Sequence, residues 1–166
     1  GHFLLTSGRH SNVYIEKFRI LENPNSLDQV CHSMAEVVTS NDIDLVLGAA
    51  IGGILISGGV GRHLEKKHVF SERVDGNMEL KRGFSINKGE RVLIVEDIIT
   101  TGGSVFELIS LAEKYEAEIA HVVNLVDRSL EGIDFGYPST ALLHFPSQSY
   151  APDECPSCKQ DLPLTE

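Results

Sequence analysis

The sequence predicts an α/β fold, a doubly wound and mostly parallel sheet with a small N-terminal flap. From about residue 40 onward, short runs that are apolar throughout ("DLVL", "HVF", "RVLIV", "AHVVNLV") alternate with stretches of helical spacing ("ILISGGVGRHLEKK", "SVFELISLAEKYE"). Strands that are apolar on both faces belong to parallel sheets covered by helices. The length of 166 residues, with 42% hydrophobic and 23% charged residues, suits one domain with a sizeable core and excludes a disordered or fibrous chain.

The elements follow in order. "HFLLTSGRHSNVYIEKFRI" holds two apolar segments around Ser7-Gly8-Arg9, which predicts a short antiparallel pair and a flap over about residues 1–20. The chain opens at Gly1 with no initiator Met, so an N-terminal helix is expected to be missing from it. Asn23-Pro24-Asn25-Ser26 supplies cap and turn chemistry before "LDQVCHSMAEVV". There Leu27, Val30, Met34, Val37 and Val38 recur at helical spacing, predicting an amphipathic helix that ends near Ser40-Asn41. The α/β core is expected over about 24–146, with four or five strands and "TALLHF" as a candidate edge strand. Pro146, Pro152, Pro156 and Pro163 predict an irregular tail over 147–166. A single domain accounts for residues 1–166, without internal repeats.

Several function classes drop out on composition. The net charge of -10 argues against nucleic acid as the main partner, because phosphate-backbone binding needs a surplus of Lys and Arg. The apolar runs fall far short of the ~20 residues that span a bilayer, so no membrane is implied and a cytoplasmic location is expected. Three cysteines, Cys31, Cys155 and Cys158, do not make a disulfide framework. Cys155 and Cys158 in "ECPSCK" have the spacing that starts many zinc sites, but no second CxxC or HxxxH follows. The expectation is an ordinary turn and no metal held by protein side chains. The seven histidines, His2, His10, His32, His63, His68, His121 and His144, show no ligand spacing.

In open α/β sheets ligands bind outside the carboxyl ends of the strands, which singles out three loops: Gly48 to Gly53, Glu96 to Gly103, and Asp127 to Arg128. The second belongs to "RVLIVEDIITTGGSV", where an apolar strand delivers two carboxylates, two threonines, two glycines and a serine. Thr100-Thr101-Gly102-Gly103-Ser104 joins strand to helix, so backbone N–H groups, hydroxyls and the helix's positive end converge where a phosphate fits. The loop lacks the Lys of a Walker motif, and the chain has no GxGxxG. Glu96 and Asp97, just upstream, suit the hydroxyls of a sugar carrying that phosphate.

"VLIVEDIITTGGSV" resembles the phosphoribosyl-pyrophosphate signature of the type I phosphoribosyltransferases. The resemblance implies that fold, with Glu96 and Asp97 on the ribose hydroxyls and Thr100, Thr101, Gly102, Gly103 and Ser104 on the 5′-phosphate. "GHFLLTSGRHS", "GAAIGGI", "FSERVDG" with "LKRGF", and "VDR" look like the orotate phosphoribosyltransferases, so the likeness covers most of the chain. It implies a pyrophosphate cradle at Ala49, Ala50, Ile51, Gly52 and Gly53. It also implies an orotate site at Ser7, Gly8, Arg9 and Arg128, the last able to pair with a carboxylate. Arg73, Lys81 and Arg82 would act with Asp97 in catalysis, on a mobile loop that closes across the interface of a homodimer, with Mg²⁺ accompanying phosphoribosyl pyrophosphate. The flap departs from the family pattern, which often has Lys or Arg before Ser-Gly where this chain has Thr6. Two other readings use the same residues: a transferase for a purine or other base, and a phosphoribosyl-pyrophosphate-binding regulator without turnover.

Overall fold

The computed structural model describes residues 1–5 and 8–165. The flap turn at Thr6 and Ser7, including the predicted orotate contact at Ser7, lies outside the described residues. The two flanking segments pair as predicted: β1 (Phe3–Leu4) runs antiparallel to β2 (His10–Ser11). The chain then forms a short helix, α1 (Phe18–Leu21), and α2 (Pro24–Glu36). The side chain of Asn23 caps α2 by accepting from the backbone N–H groups of Asn25 and Ser26 at 3.1 and 3.0 Å. Pro24 sits at the helix start, where its missing donor costs nothing. The helix ends at Glu36, earlier than its apolar spacing predicts, and a single 3-10 turn, Ser40–Asp42, leads into the sheet.

The core then alternates β3 (Leu45–Ala49), α3 (Gly52–Leu64), β4 (Lys67–Val74), β5 (Asn77–Leu80), β6 (Arg91–Ile99), α4 (Gly103–Lys114), β7 (Glu118–Asp127) and β8 (Ser139–His144). These six strands form one sheet in the order β5-β4-β3-β6-β7-β8, parallel except for the β4–β5 hairpin. Six replaces the expected four or five. β8 is the edge strand that "TALLHF" predicts, and β5 is an addition at the other edge.

Side chains alternate across the sheet and build a core on each face. Leu45, Leu47, Val92 and Ile94 pack with Val105, Leu108 and Ala112 of α4. Val46, Leu93 and Val95 pack on the other side with Met34 of α2 and Ile56 and Val60 of α3. Truncating a fully buried leucine such as Leu93 would cost about 2–5 kcal/mol, so both faces are needed to hold the sheet. Strand order reverses between β3 and β6, because β4 continues from β3 to one side while β6 and β7 continue to the other. The loops that leave β3 and β6 therefore diverge at one crevice.

The tail is more ordered than its prolines predict. β9 (Ser149–Tyr150) adds to β2 to complete a three-stranded hood, and Thr165 accepts from the Leu4 N–H and donates to the His2 carbonyl. No described helix is long and apolar enough to cross a membrane.

Candidate active site

The crevice has two lobes that share Ile98, Thr100 and Thr101. The first, of about 240 Å³, is lined by Glu96, residues 98–105, Arg73 and Glu107. It gathers all of the predicted phosphate loop, Thr100 to Ser104. Gly102 adopts φ 76°, and a β-carbon there would press on Phe135 and Ile133, so glycine is required for both conformation and space. The helix α4 begins at Gly103 with its free N–H groups facing the lobe, as a phosphate needs. On the neighbouring strand, α3 begins at Gly52, one turn after the β3 carboxyl end, and a β-carbon at Gly48 would overlap the Gly53 carbonyl. The predicted cradle of Ala49 to Gly53 is thus a tight strand-to-helix turn, with its Ala50–Ile51 peptide cis. Two helix N-termini meet across the reversal point.

Glu96 and Asp97 stand within β6 itself and are both buried. Their orientation is fixed locally: the Asp97 N–H donates to Glu96 Oε1 at 2.9 Å, and the Ile98 N–H donates to Asp97 Oδ1 at 2.6 Å. Lys17 reaches Asp97 Oδ2 at 2.7 Å. Burial, reinforced by the adjacent Asp97 charge, pushes the Glu96 carboxyl up to about 7. Gly52 lies against this pair so closely that a β-carbon would overlap the Asp97 carboxylate. The carboxylates, the first turn of α3 and the phosphate loop are consequently one constellation.

The second lobe, of about 380 Å³, lies between the sheet and the hood and is lined in part by Arg9, Tyr14, Lys17, Arg128, Ser147 and Ser149. Arg9 donates to the Ser149 hydroxyl and carbonyl at 2.9 and 2.6 Å. Arg128, at the carboxyl end of β7, is only 6% exposed. It donates to Ser147 Oγ at 2.6 Å, Ser11 Oγ at 3.3 Å and the Val13 carbonyl at 3.2 Å, all neutral acceptors. No carboxylate pairs with it among the described residues, and burial pushes its guanidinium down from the ordinary value. A buried cation held by neutral acceptors at the wall of a cavity can pair with an anionic ligand.

A strand-borne carboxylate pair, the Thr100–Ser104 turn into α4 and a glycine turn packed against Asp97 agree with the sequence comparisons. The profile of the phosphoribosyl transferase domain matches residues 18–132. The chain belongs to the phosphoribosyl transferase family. Its similarities include the orotate phosphoribosyltransferase of Pelotomaculum thermopropionicum, 47% identical over the whole of this chain and 87% of that one. That of Caldicellulosiruptor saccharolyticus is 44% identical over the same shares. Among solved structures, the orotate phosphoribosyltransferase of Aeropyrum pernix superposes with a TM-score of 0.69 at 27% identity, covering 87% of this chain and 85% of that one. Leishmania donovani UMP synthase gives 0.73 at 26% identity over 87% of this chain and 32% of its own length.

Within this member of the phosphoribosyl transferase family, most predicted site residues come together and a few do not. Arg73 reaches the phosphate lobe from the end of β4, where it pairs with Glu107 and donates to the Gly76 carbonyl at 2.6 Å. Lys81 and Arg82 line neither lobe; they pair with Glu79 and Glu72 at 2.7 and 2.8 Å. Arg73 belongs to β4 of the β4–β5 hairpin, whose turn is Asp75 and Gly76, and Lys81 and Arg82 directly follow β5. Gly8 is exposed beside Arg9 at the edge of the hood. Sequence reasoning missed Lys17, Glu107, Ser147 and Ser149, which sit in no motif and become neighbours of the site only through the fold.

Proposed function

We propose that this chain is an orotate phosphoribosyltransferase: it moves the 5-phosphoribosyl group from phosphoribosyl pyrophosphate to orotate, forming orotidine 5′-monophosphate and pyrophosphate on the route to UMP. The observation that carries the choice of base is Arg128, a buried guanidinium that faces the hood lobe and has no carboxylate partner among the described residues. Orotate brings the carboxylate that a purine lacks. Arg9 stands on the same lobe and can share the load left by Thr6.

In this reading the donor's 5′-phosphate sits on Thr100 to Ser104 and its ribose hydroxyls donate to Glu96 and Asp97. The bond from C1′ to the pyrophosphate oxygen breaks, the bond from C1′ to the orotate ring nitrogen forms, and the nitrogen's proton is lost. Positive charge builds on the ribose ring and negative charge on the departing pyrophosphate. The reading assigns the first to buried Asp97 and Glu96, and the second to the N-terminus of α3 and to Arg73, which reaches into the lobe that Glu96 also lines. Holding both substrates against one crevice supplies much of the rest, and no covalent nucleophile is required. Glu96 and Asp97 also offer the hard oxygens that magnesium takes, and magnesium arriving on the donor would neutralise leaving-group charge. The reading includes a cytoplasmic homodimer in which Lys81 and Arg82 act on the partner's pyrophosphate.

The test is direct. Purified protein with phosphoribosyl pyrophosphate and magnesium should consume orotate, and Asp97→Asn and Arg128→Ala should each lower kcat/KM by about 100-fold or more. Consumption of hypoxanthine or adenine with orotate untouched would replace the base. Donor binding without turnover of any base would make the protein a regulator.

A further inference from the structure

Four side chains from the two ends of the chain converge outside the active-site crevice: His2, His10, Cys155 and Cys158. The first three are buried and Cys158 is half-buried. Antiparallel pairing of β1 with β2 makes His2 and His10 diagonal neighbours on one face of the hood, and the tail folds back so that its CxxC turn meets them.

The separations fit the edges of a coordination tetrahedron. Zinc bound at about 2.0–2.1 Å to nitrogen and about 2.3 Å to sulfur requires edges of about 3.3 Å between two nitrogens and about 3.6 Å between nitrogen and sulfur. His2 Nε2 lies 3.1 Å from His10 Nδ1 and 3.4 and 3.6 Å from the sulfurs of Cys155 and Cys158. Cys158 Sγ lies 3.2 Å from His10 Nδ1. All four ligand atoms fall within 4.8 Å of one another. The remaining nitrogen of His2 also does what metal-bound imidazoles do: Nδ1 is 3.0 Å from the Leu162 carbonyl, which fixes the proton there and leaves Nε2 bare.

We infer that His2 Nε2, His10 Nδ1, Cys155 Sγ and Cys158 Sγ hold a structural zinc ion that fastens the C-terminal tail to the hood. Two thiolates and two imidazoles select zinc over the hard cations magnesium and calcium. Four protein ligands leave no open position, and none of the four lines the crevice, so the ion is structural and takes no part in the transfer. Binding releases the two thiol protons to solvent and leaves the site neutral. The clamp reinforces hydrogen bonds from Leu4 N–H to the Thr165 carbonyl at 2.9 Å and from Thr165 N–H to the His2 carbonyl at 2.7 Å. Through Ser11 and Ser149 it steadies the wall that holds Arg128 and Arg9.

The experiment is elemental analysis of the full protein, expressed with zinc and without a histidine tag, alongside Cys155→Ser and Cys158→Ser. About one zinc per chain is expected, with none in either variant. Because those variants can fail for lack of folding, the wild type is also stripped with a chelator and titrated with Co²⁺. Strong visible d–d bands and a thiolate-to-cobalt charge-transfer band should rise to one equivalent, and zinc should raise the melting temperature of the stripped protein. Zinc far below one per chain together with no cobalt spectrum would overturn the site. So would a Cys155–Cys158 disulfide in freshly purified protein. All of these readouts are independent of transferase activity.

Discussion

A methyl group at position 52 would collide with the Asp97 carboxylate, to which the proposed function assigns the ribose hydroxyls. Gly52→Ala is therefore expected to displace Asp97 from Lys17 and lower kcat/KM by roughly 100-fold, since about 1 Å of misplacement costs that much. Full activity in that variant would show that Asp97 does not position the donor. The neighbouring Glu96 makes a pH prediction. Burial first, and the Asp97 charge second, hold its folded-state value near 7, as against about 4.3 in an unfolded chain. Between those values the native protein keeps a proton that the unfolded chain has released. The stability this group contributes is thus fully present below about pH 4.3, falls as pH rises and levels off above about 7. Glu96→Gln has no charge to bury, so its urea midpoint relative to wild type should be higher at pH 8 than at pH 5. A difference that stays constant across that range would mean Glu96 is not held neutral by its surroundings.

At the scale of elements, what was legible follows from how many faces an element buries. β3, β6 and β7 are covered on both sides and read as unbroken apolar runs, so the sequence alone puts Glu96, Asp97 and residues 100–104 at the carboxyl end of a strand, where β6 has them. β5 was not read, because Asn77, Met78, Glu79 and Leu80 form a half-exposed edge strand with little pattern. Its one signal was Asp75-Gly76, a pair at positive φ between two strands, which marks a two-residue hairpin. Of the histidine and cysteine cluster only the Cys155–Cys158 spacing was legible, because its halves lie far apart in sequence and only the hood brings His2 and His10 to them. The hairpin also carries a prediction. Arg73 is the only cation lining the phosphate lobe among the described residues, and its surface pair with Glu107 is worth about 0–1 kcal/mol. Arg73→Ala should leave the melting temperature nearly unchanged while lowering kcat about 10²- to 10³-fold. A large stability loss with kcat intact would make Arg73 a structural tether of β4 to α4.

For the whole molecule, the distribution of cations sets the remaining question. Arg9, Lys17 and Arg128 line the hood lobe, whereas a departing pyrophosphate would meet Arg73 alone, already shared with Glu107, and the partial charge of two helix ends. Lys81 and Arg82 stand away from their own crevice, so the proposed dimer gives them a use that a single chain does not. The consequence is testable by mixing Asp97→Asn with the double variant Lys81→Ala, Arg82→Ala, each nearly inactive alone. If the two cations act across the interface, a mixed dimer has one site with its own Asp97 and intact cations from the partner, while its other site carries both defects. Random reassociation makes half of the dimers mixed, so activity should return to about a quarter of wild type per site. If the cations serve their own chain, or if no dimer forms, mixing restores nothing, and the charge that balances pyrophosphate must come from Arg73, the helix ends and magnesium.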